Sequence, residues 1–224
     1  TDVDNDGDYD ILNIHVDLNV RESGTYIIGY YIMDSFKSIQ AGVMSLIEDY
    51  FNVGVHTLLF RFAGALFAKN FTAGEWVFYA LVSYASIQGT DGVIADSIDM
   101  LLPYYSPAQF EITEKAQLSN KLEMKAITTD NGLYKALNIT TGLTVNQEGT
   151  YSIVAYLSSE TTIIHSNQTL YLTPGTYSVS LNYSAYELTK ILRTTPIPWI
   201  LVTLYDSNNT LLNLVSDIGI GGYD

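Results

Sequence analysis

An all-β chain of two tandem antiparallel sandwiches is the fold that these 224 residues predict. Three observations point to it. The chain repeats itself without a gap, its apolar residues alternate with period two, and glycine-centred turns separate segments rich in Tyr, Val and Ile.

The repeat comes first because it sets the domain organisation. GDYDILNIHVDLNVRESGTYIIGYYI (7–32) aligns with GLYKALNITTGLTVNQEGTYSIVAYL (132–157), with twelve of 26 positions identical. YFNVGVHTLLFRF (50–62) then matches YLTPGTYSVSLNY (171–183), and the chain's only two tryptophans, Trp76 and Trp199, fall at corresponding places in WVFYAL and WILVTL. A tandem duplication is expected, with one repeat over 1–111 and the other over 112–224. The stretch ITEKAQLSNKLEMKA (112–126) precedes the second repeat, and the first has no counterpart to it within the chain.

Inside a repeat, Leu12, Ile14, Val16, Leu18 and Val20 face one way, while Asn13, His15, Asp17 and Asn19 face the other. This is a half-buried antiparallel strand. A polar turn, RESG or NQEG, leads into a second strand, GTYIIGYYI or GTYSIVAYL. Such strands at this spacing suggest a jelly-roll or immunoglobulin-like sandwich. Segment 34–51 departs from the pattern, because Ile39, Val43, Ile47 and Tyr50 fall at helical spacing. It reads either as a short helix or as a longer hairpin.

Composition excludes several classes of function. The chain carries 24 acidic against 10 basic residues, a formal charge of −14. Such a surface repels phosphate backbones and anionic headgroups, so no nucleic acid is expected as a partner. The absence of cysteine rules out disulfides and thiolate metal sites. The most apolar stretch, VGVHTLLFRFAGALFA, is broken by His56 and Arg61, so no membrane insertion is expected. Thr1 leads directly into an acidic cluster and no signal peptide is visible, so the expectation is either that the mature form begins here or that an upstream segment is missing.

That cluster, TDVDNDGDYD, is the most informative stretch. Asp2, Asp4 and Asp6 take loop positions 1, 3 and 5, Gly7 takes position 6, and Asp8 and Asp10 take positions 7 and 9. Alternate residues of a tight turn aim oxygens at one centre, and the glycine permits the turn, which is the chemistry of a calcium loop. Position 12 is Asn13 rather than a bidentate glutamate, so further ligands are expected from GTDGVIADSID (89–99). Asp91 is the first candidate there, ahead of Asp96 and Asp99. The corresponding TTDNGLYK keeps only Asp130 and Asn131, and no cation is expected in it.

The pattern DxDxDGxYDxLxIxVxLNVxxxGTY resembles the opening of calcium-binding, jelly-roll-like β-sandwich modules found in tandem in archaeal and bacterial secreted and cell-surface proteins. Similar modules flank the catalytic domains of some secreted subtilisin-like proteases. The resemblance covers both repeats and implies that Asp2, Asp4, Asp6 and Asp10 are metal ligands. It implies a module rather than an activity.

No HExxH, GxSxG, P-loop or GxGxxG occurs, and His15, His56 and His165 lie on separate strand patterns, so no enzyme is expected. Five sequons, at Asn70, Asn138, Asn167, Asn182 and Asn208, suit a glycosylated extracellular or cell-surface protein. The leading expectation is a structural subunit of a surface layer or filament, polymerising through sheet edges. The alternative is an accessory or carbohydrate-binding module pair of a larger secreted enzyme, with Trp76 or Tyr104-Tyr105 as the aromatic platform.

Overall fold

The structure is a computed structural model that describes residues 1–34, 43–71, 73–84, 94–158, 163–191 and 199–218. Its described residues are mostly β strand and fall into two compact units, Thr1–Thr113 and Glu114–Asp224. No helix among them is long and apolar enough to cross a membrane.

The first unit runs β1 (Ile11–Val20), β2 (Gly24–Asp34), β3 (Val43–Phe51), β4 (Gly54–Ala63), α1 (Gly64–Asn70), β5 (Trp76–Tyr84) and β6 (Ile94–Leu101). β1 pairs antiparallel with β4, Ile11 opposite Ala63 through to Val20 opposite Gly54. The order β3-β2-β5-β6 makes a second, four-stranded sheet. The alternating pattern decides which face is covered: Leu12 and Ile14 are buried while His15, Asp17 and Asn19 are exposed. Tyr30 of β2 meets Phe60 and Phe62 of β4, and Phe60 meets Phe78 of β5, so the two sheets close on an aromatic core. Trp76 lies at its end, fully buried and stacked on Phe67 and Phe110. Each such ring contributes about 1.5–3 kcal/mol by leaving water.

The second unit opens with β7 (Ala116–Thr128) and continues with β8 (Tyr134–Val145), β9 (Gly149–Ser158), β10 (Ile163–Leu172), β11 (Gly175–Ser184), α2 (Ala185–Ile191), β12 (Trp199–Asp206) and β13 (Thr210–Ile218). From β8 onward the element order matches that of the first unit from β1. Here β8 lies between β11 and β7, and β9 lies between β10 and β12, which also pairs with β13. The core is largely aliphatic, with Ile139, Leu143, Ile153, Leu157, Ile200 and Leu204 fully buried.

Local anchors recur at aligned positions. The Tyr26 hydroxyl donates to the Glu22 carbonyl at 2.7 Å, and Tyr151 donates to Gln147, also four residues back. Tyr177 donates to the Thr173 carbonyl at 2.8 Å, and its counterpart His56 reaches the Asn52 carbonyl at 2.7 Å. Each ring thus ties a strand to the turn before it, whether it is phenol or imidazole.

Two readings left open by the sequence are decided. The helical spacing in 34–51 does not produce a helix in its described part: 43–51 is strand β3, paired with β2 from Val43 opposite Ile32 to Phe51 opposite Gly24. Pairing satisfies the backbone of both strands, which a short helix beside β2 would leave undone. Residues 35–42 lie outside the described residues. Trp76 cannot serve as a surface platform, because the core needs its indole; Tyr104 is exposed, and Tyr105 packs its ring against Trp76.

Candidate metal centre

Residues 2–10 fold into a turn held by their own carboxylates. The N–H groups of Asn5 and Gly7 donate to the two oxygens of Asp2 at 2.7 and 3.1 Å. The Asp6 N–H donates to Asp4 at 3.3 Å, that of Asp8 to Asp6 at 3.0 Å, and that of Val3 to Asp10 at 2.5 Å. Gly7 has φ 104°, where a side chain would be strained, and this accounts for the glycine at the sixth position.

The turn is docked at its far end. Tyr9 donates its N–H to the Gln109 carbonyl at 2.7 Å, and its own carbonyl accepts from Glu111 N–H at 3.1 Å. The Asp10 carbonyl accepts from Gly64 N–H at 2.6 Å. A Cβ on Gly64 would lie 2.1 Å from the Tyr9 carbonyl oxygen, so the loop can seat on the start of α1 only over a glycine. The Tyr9 ring meets Phe110 edge-on at 5.7 Å.

Docking gathers the carboxylates. Asp2, Asp4 and Asp10 can each place an oxygen within 4.8 Å of the others, and Asp4, Asp6 and Glu111 form a second such group. Asp4 belongs to both. Oxygens on opposite sides of a calcium ion lie about 4.6–5.2 Å apart, given bonds of about 2.3–2.6 Å, so the all-oxygen donor set fits a hard cation. Partial withdrawal from water and the charges of Asp6, Asp10 and Asp2 raise the Asp4 carboxyl above its ordinary value, against the lowering bond from Asp6 N–H. A bound cation would relieve that repulsion.

Among the expected ligands, Asp2, Asp4, Asp6 and Asp10 come together, and Asp8 joins neither group. Asp91 lies outside the described residues. Asp96 and Asp99 are exposed on β6, Asp99 in register with Tyr79, and neither joins a group. Sequence reasoning missed Glu111, a hundred residues from the loop. Its signal was Phe110, the buried residue before it, which pins that segment beside Tyr9.

In the second unit the corresponding turn holds itself. Thr129 Oγ1 donates to the Leu133 carbonyl at 3.0 Å and accepts the Leu133 N–H at 3.2 Å, with Gly132 at φ 79°. Asp130 is the one carboxylate in that turn. Of the sequon asparagines, Asn167, Asn182 and Asn208 are exposed, whereas the buried Asn138 Oδ1 has no hydrogen-bond partner. The Asn70 side chain lies outside the described residues.

No family model matches the chain, and no curated protein matches it in sequence. Among solved structures it is similar to red sea bream transglutaminase (13% identity, TM-score 0.30), covering 96% of this chain and 30% of that one. It is also similar to Bacteroides uniformis β-glucuronidase 2 (12%, TM-score 0.29), covering 93% and 26%. A third likeness is to CBD12 from CALX1.2 (12%, TM-score 0.25), covering 89% and 74%. The chain therefore spans under a third of either enzyme.

Proposed function

We propose that this protein is a non-enzymatic structural subunit of an extracellular layer or filament, with calcium bound by its N-terminal loop. The observation that carries the reading is the gathering of five carboxylates, those of Asp2, Asp4, Asp6, Asp10 and Glu111, from the two ends of the first unit. A cation there ties the chain's opening to the segment that leads into the second unit. Removing it leaves like charges facing one another. The two units are β-sandwiches derived by duplication, a reading supported by the gapless repeat, the shared element order and the anchors at aligned positions. Exposed Asn167, Asn182 and Asn208 would carry glycans on the outer surface.

Light scattering on the purified chain, titrated with calcium and then with a chelator, tests this. Growth into large particles that reverse on chelation is the expected result. A particle of unchanged monomer size in both conditions would leave calcium as a stabiliser only and favour an accessory module of a larger secreted protein.

A further inference from the structure

The two matched turns differ at one position in a way that changes their chemistry. Asp6-Gly7 in the first unit aligns with Asn131-Gly132 in the second. Of the chain's fourteen asparagines, Asn131 is the one followed by glycine. An asparagine holds its side-chain amide carbon within reach of the next backbone nitrogen, and attack by that nitrogen closes a succinimide ring. A glycine in the next place hinders the attack least, because it has no Cβ and rotates freely.

The structure presents this pair without cover. Residues 129–133 are all exposed, in the turn between β7 and β8, and a Cβ added at Gly132 would meet nothing within 4 Å. The Thr129 hydroxyl, bonded to the Leu133 carbonyl, also donates to Asn131 Oδ1. That bond draws electrons from the amide carbon and makes it a better electrophile. The Gly132 N–H donates to the neutral Thr129 carbonyl at 2.9 Å, a bond that one local opening of an exposed turn releases.

The matched turn is protected on both sides of the same reaction. Its Gly7 N–H donates to the Asp2 carboxylate at 3.1 Å, and a negative neighbour opposes loss of that amide proton. Asp6 accepts the Asp8 N–H at 3.0 Å and offers the attacking nitrogen a carboxylate, which resists attack and has no ammonia to lose.

We propose that Asn131 is a site of spontaneous deamidation, by which the turn of the second unit becomes more acidic with time. The Gly132 nitrogen bonds to Asn131 Cγ, the Cγ–Nδ2 bond breaks, and ammonia leaves carrying the Gly132 proton. Water then opens the ring, its oxygen entering the new acid and its proton returning to the nitrogen. Opening at Cγ gives an ordinary aspartate. Opening at the Asn131 backbone carbonyl gives isoaspartate, whose side-chain carbon joins the main chain. Either product puts a carboxylate where the first unit has Asp6. Isoaspartate also lengthens the turn, so the bonds from Gly132 and Leu133 N–H to Thr129 are lost. The reaction depends neither on calcium nor on assembly.

The test incubates the folded full chain in mildly alkaline buffer made with heavy-oxygen water, then digests it with trypsin in ordinary water. The tryptic peptide AITTDNGLYK (126–135) holds a single asparagine. Its acid form is expected to accumulate with time as two chromatographic species, isoaspartate the more abundant, each carrying one heavy oxygen. Peptides with the other asparagines should remain amides over the same period. Asn131→Gln should stop the reaction, because the longer side chain closes its ring poorly, and Gly132→Ala should slow it. Amide exchange at Leu133 should quicken as isoaspartate accumulates in the wild type and stay constant in Asn131→Gln. An unconverted peptide 126–135, conversion without heavy oxygen, or equal conversion of the other asparagines would overturn the assignment.

Discussion

The two units share an element order yet hold their matching parts by different means, and the helix after the fourth strand shows this best. In the first unit α1 begins Gly64-Ala65-Leu66, has no side-chain cap, and buries Ala65, Leu66 and Phe67. In the second, α2 begins Ala185-Tyr186-Glu187, and Ser184 and Glu187 cap it reciprocally. The Ser184 N–H donates to Glu187 at 2.7 Å, and the Glu187 N–H donates to the Ser184 hydroxyl at 3.3 Å. Both helices bury apolar side chains, Leu188 and Ile191 in α2, but only α2 adds a cap. The glycine and alanine at the matched first positions follow from this, because only α1 receives the carbonyl of a docked acidic loop. A shared element order therefore leaves the first unit free to seat a carboxylate loop on its helix where the second caps the helix instead.

Gly64→Ala breaks this comparison with the largest expected effect. Its methyl would meet the Tyr9 carbonyl, so the loop must lift from α1 at a cost of about 4 kcal/mol, the upper range for single changes. The reciprocal Ala185→Gly costs about 1 kcal/mol of helix propensity. Chemical denaturation of both variants reads the difference. Equal costs would mean that the loop does not depend on its seat.

The matched strands come next. Leu143→Ala, at a fully buried site beside β7, is expected to lose about 3 kcal/mol. Its counterpart Leu18→Ala should lose about 1 kcal/mol in the monomer, because water already reaches that side chain.

The smallest effect concerns the cap. The Ser184 hydroxyl and N–H hold the Glu187 carboxyl below its ordinary 4.5, with Lys190 and His165 aiding and burial opposing. A depressed folded value stabilises above the ordinary one and loses that contribution as pH falls through the folded value. Glu187→Ala should thus cost about 1 kcal/mol at neutral pH and less in acid. Leu66→Ala, its counterpart, should cost about 2–3 kcal/mol at either pH.

Much of this was legible in the sequence, and its limits have physical causes. Period-two alternation marked β1, because one face of that strand is covered and the other exposed. The 1-3-5 spacing before Gly7 marked the loop, because ligands from one turn must alternate. Glu111 escaped notice because it reaches the loop through a parallel bridge between Tyr9 and Phe110, a contact that leaves no local spacing. Segment 43–51 was ambiguous because Val43, Ile47 and Tyr50 suit a helix by spacing and a strand by residue type. Only the partner strand decides between them.

The most direct measurement is calorimetric unfolding of the wild type and Asp4→Asn, each in calcium and in chelator. Asp4 is the residue common to both carboxylate groups. The wild type should gain about 2.7 kcal/mol at a hundredfold excess over the dissociation constant. Asp4→Asn should gain little. Equal calcium responses in wild type and Asp4→Asn would contradict the account.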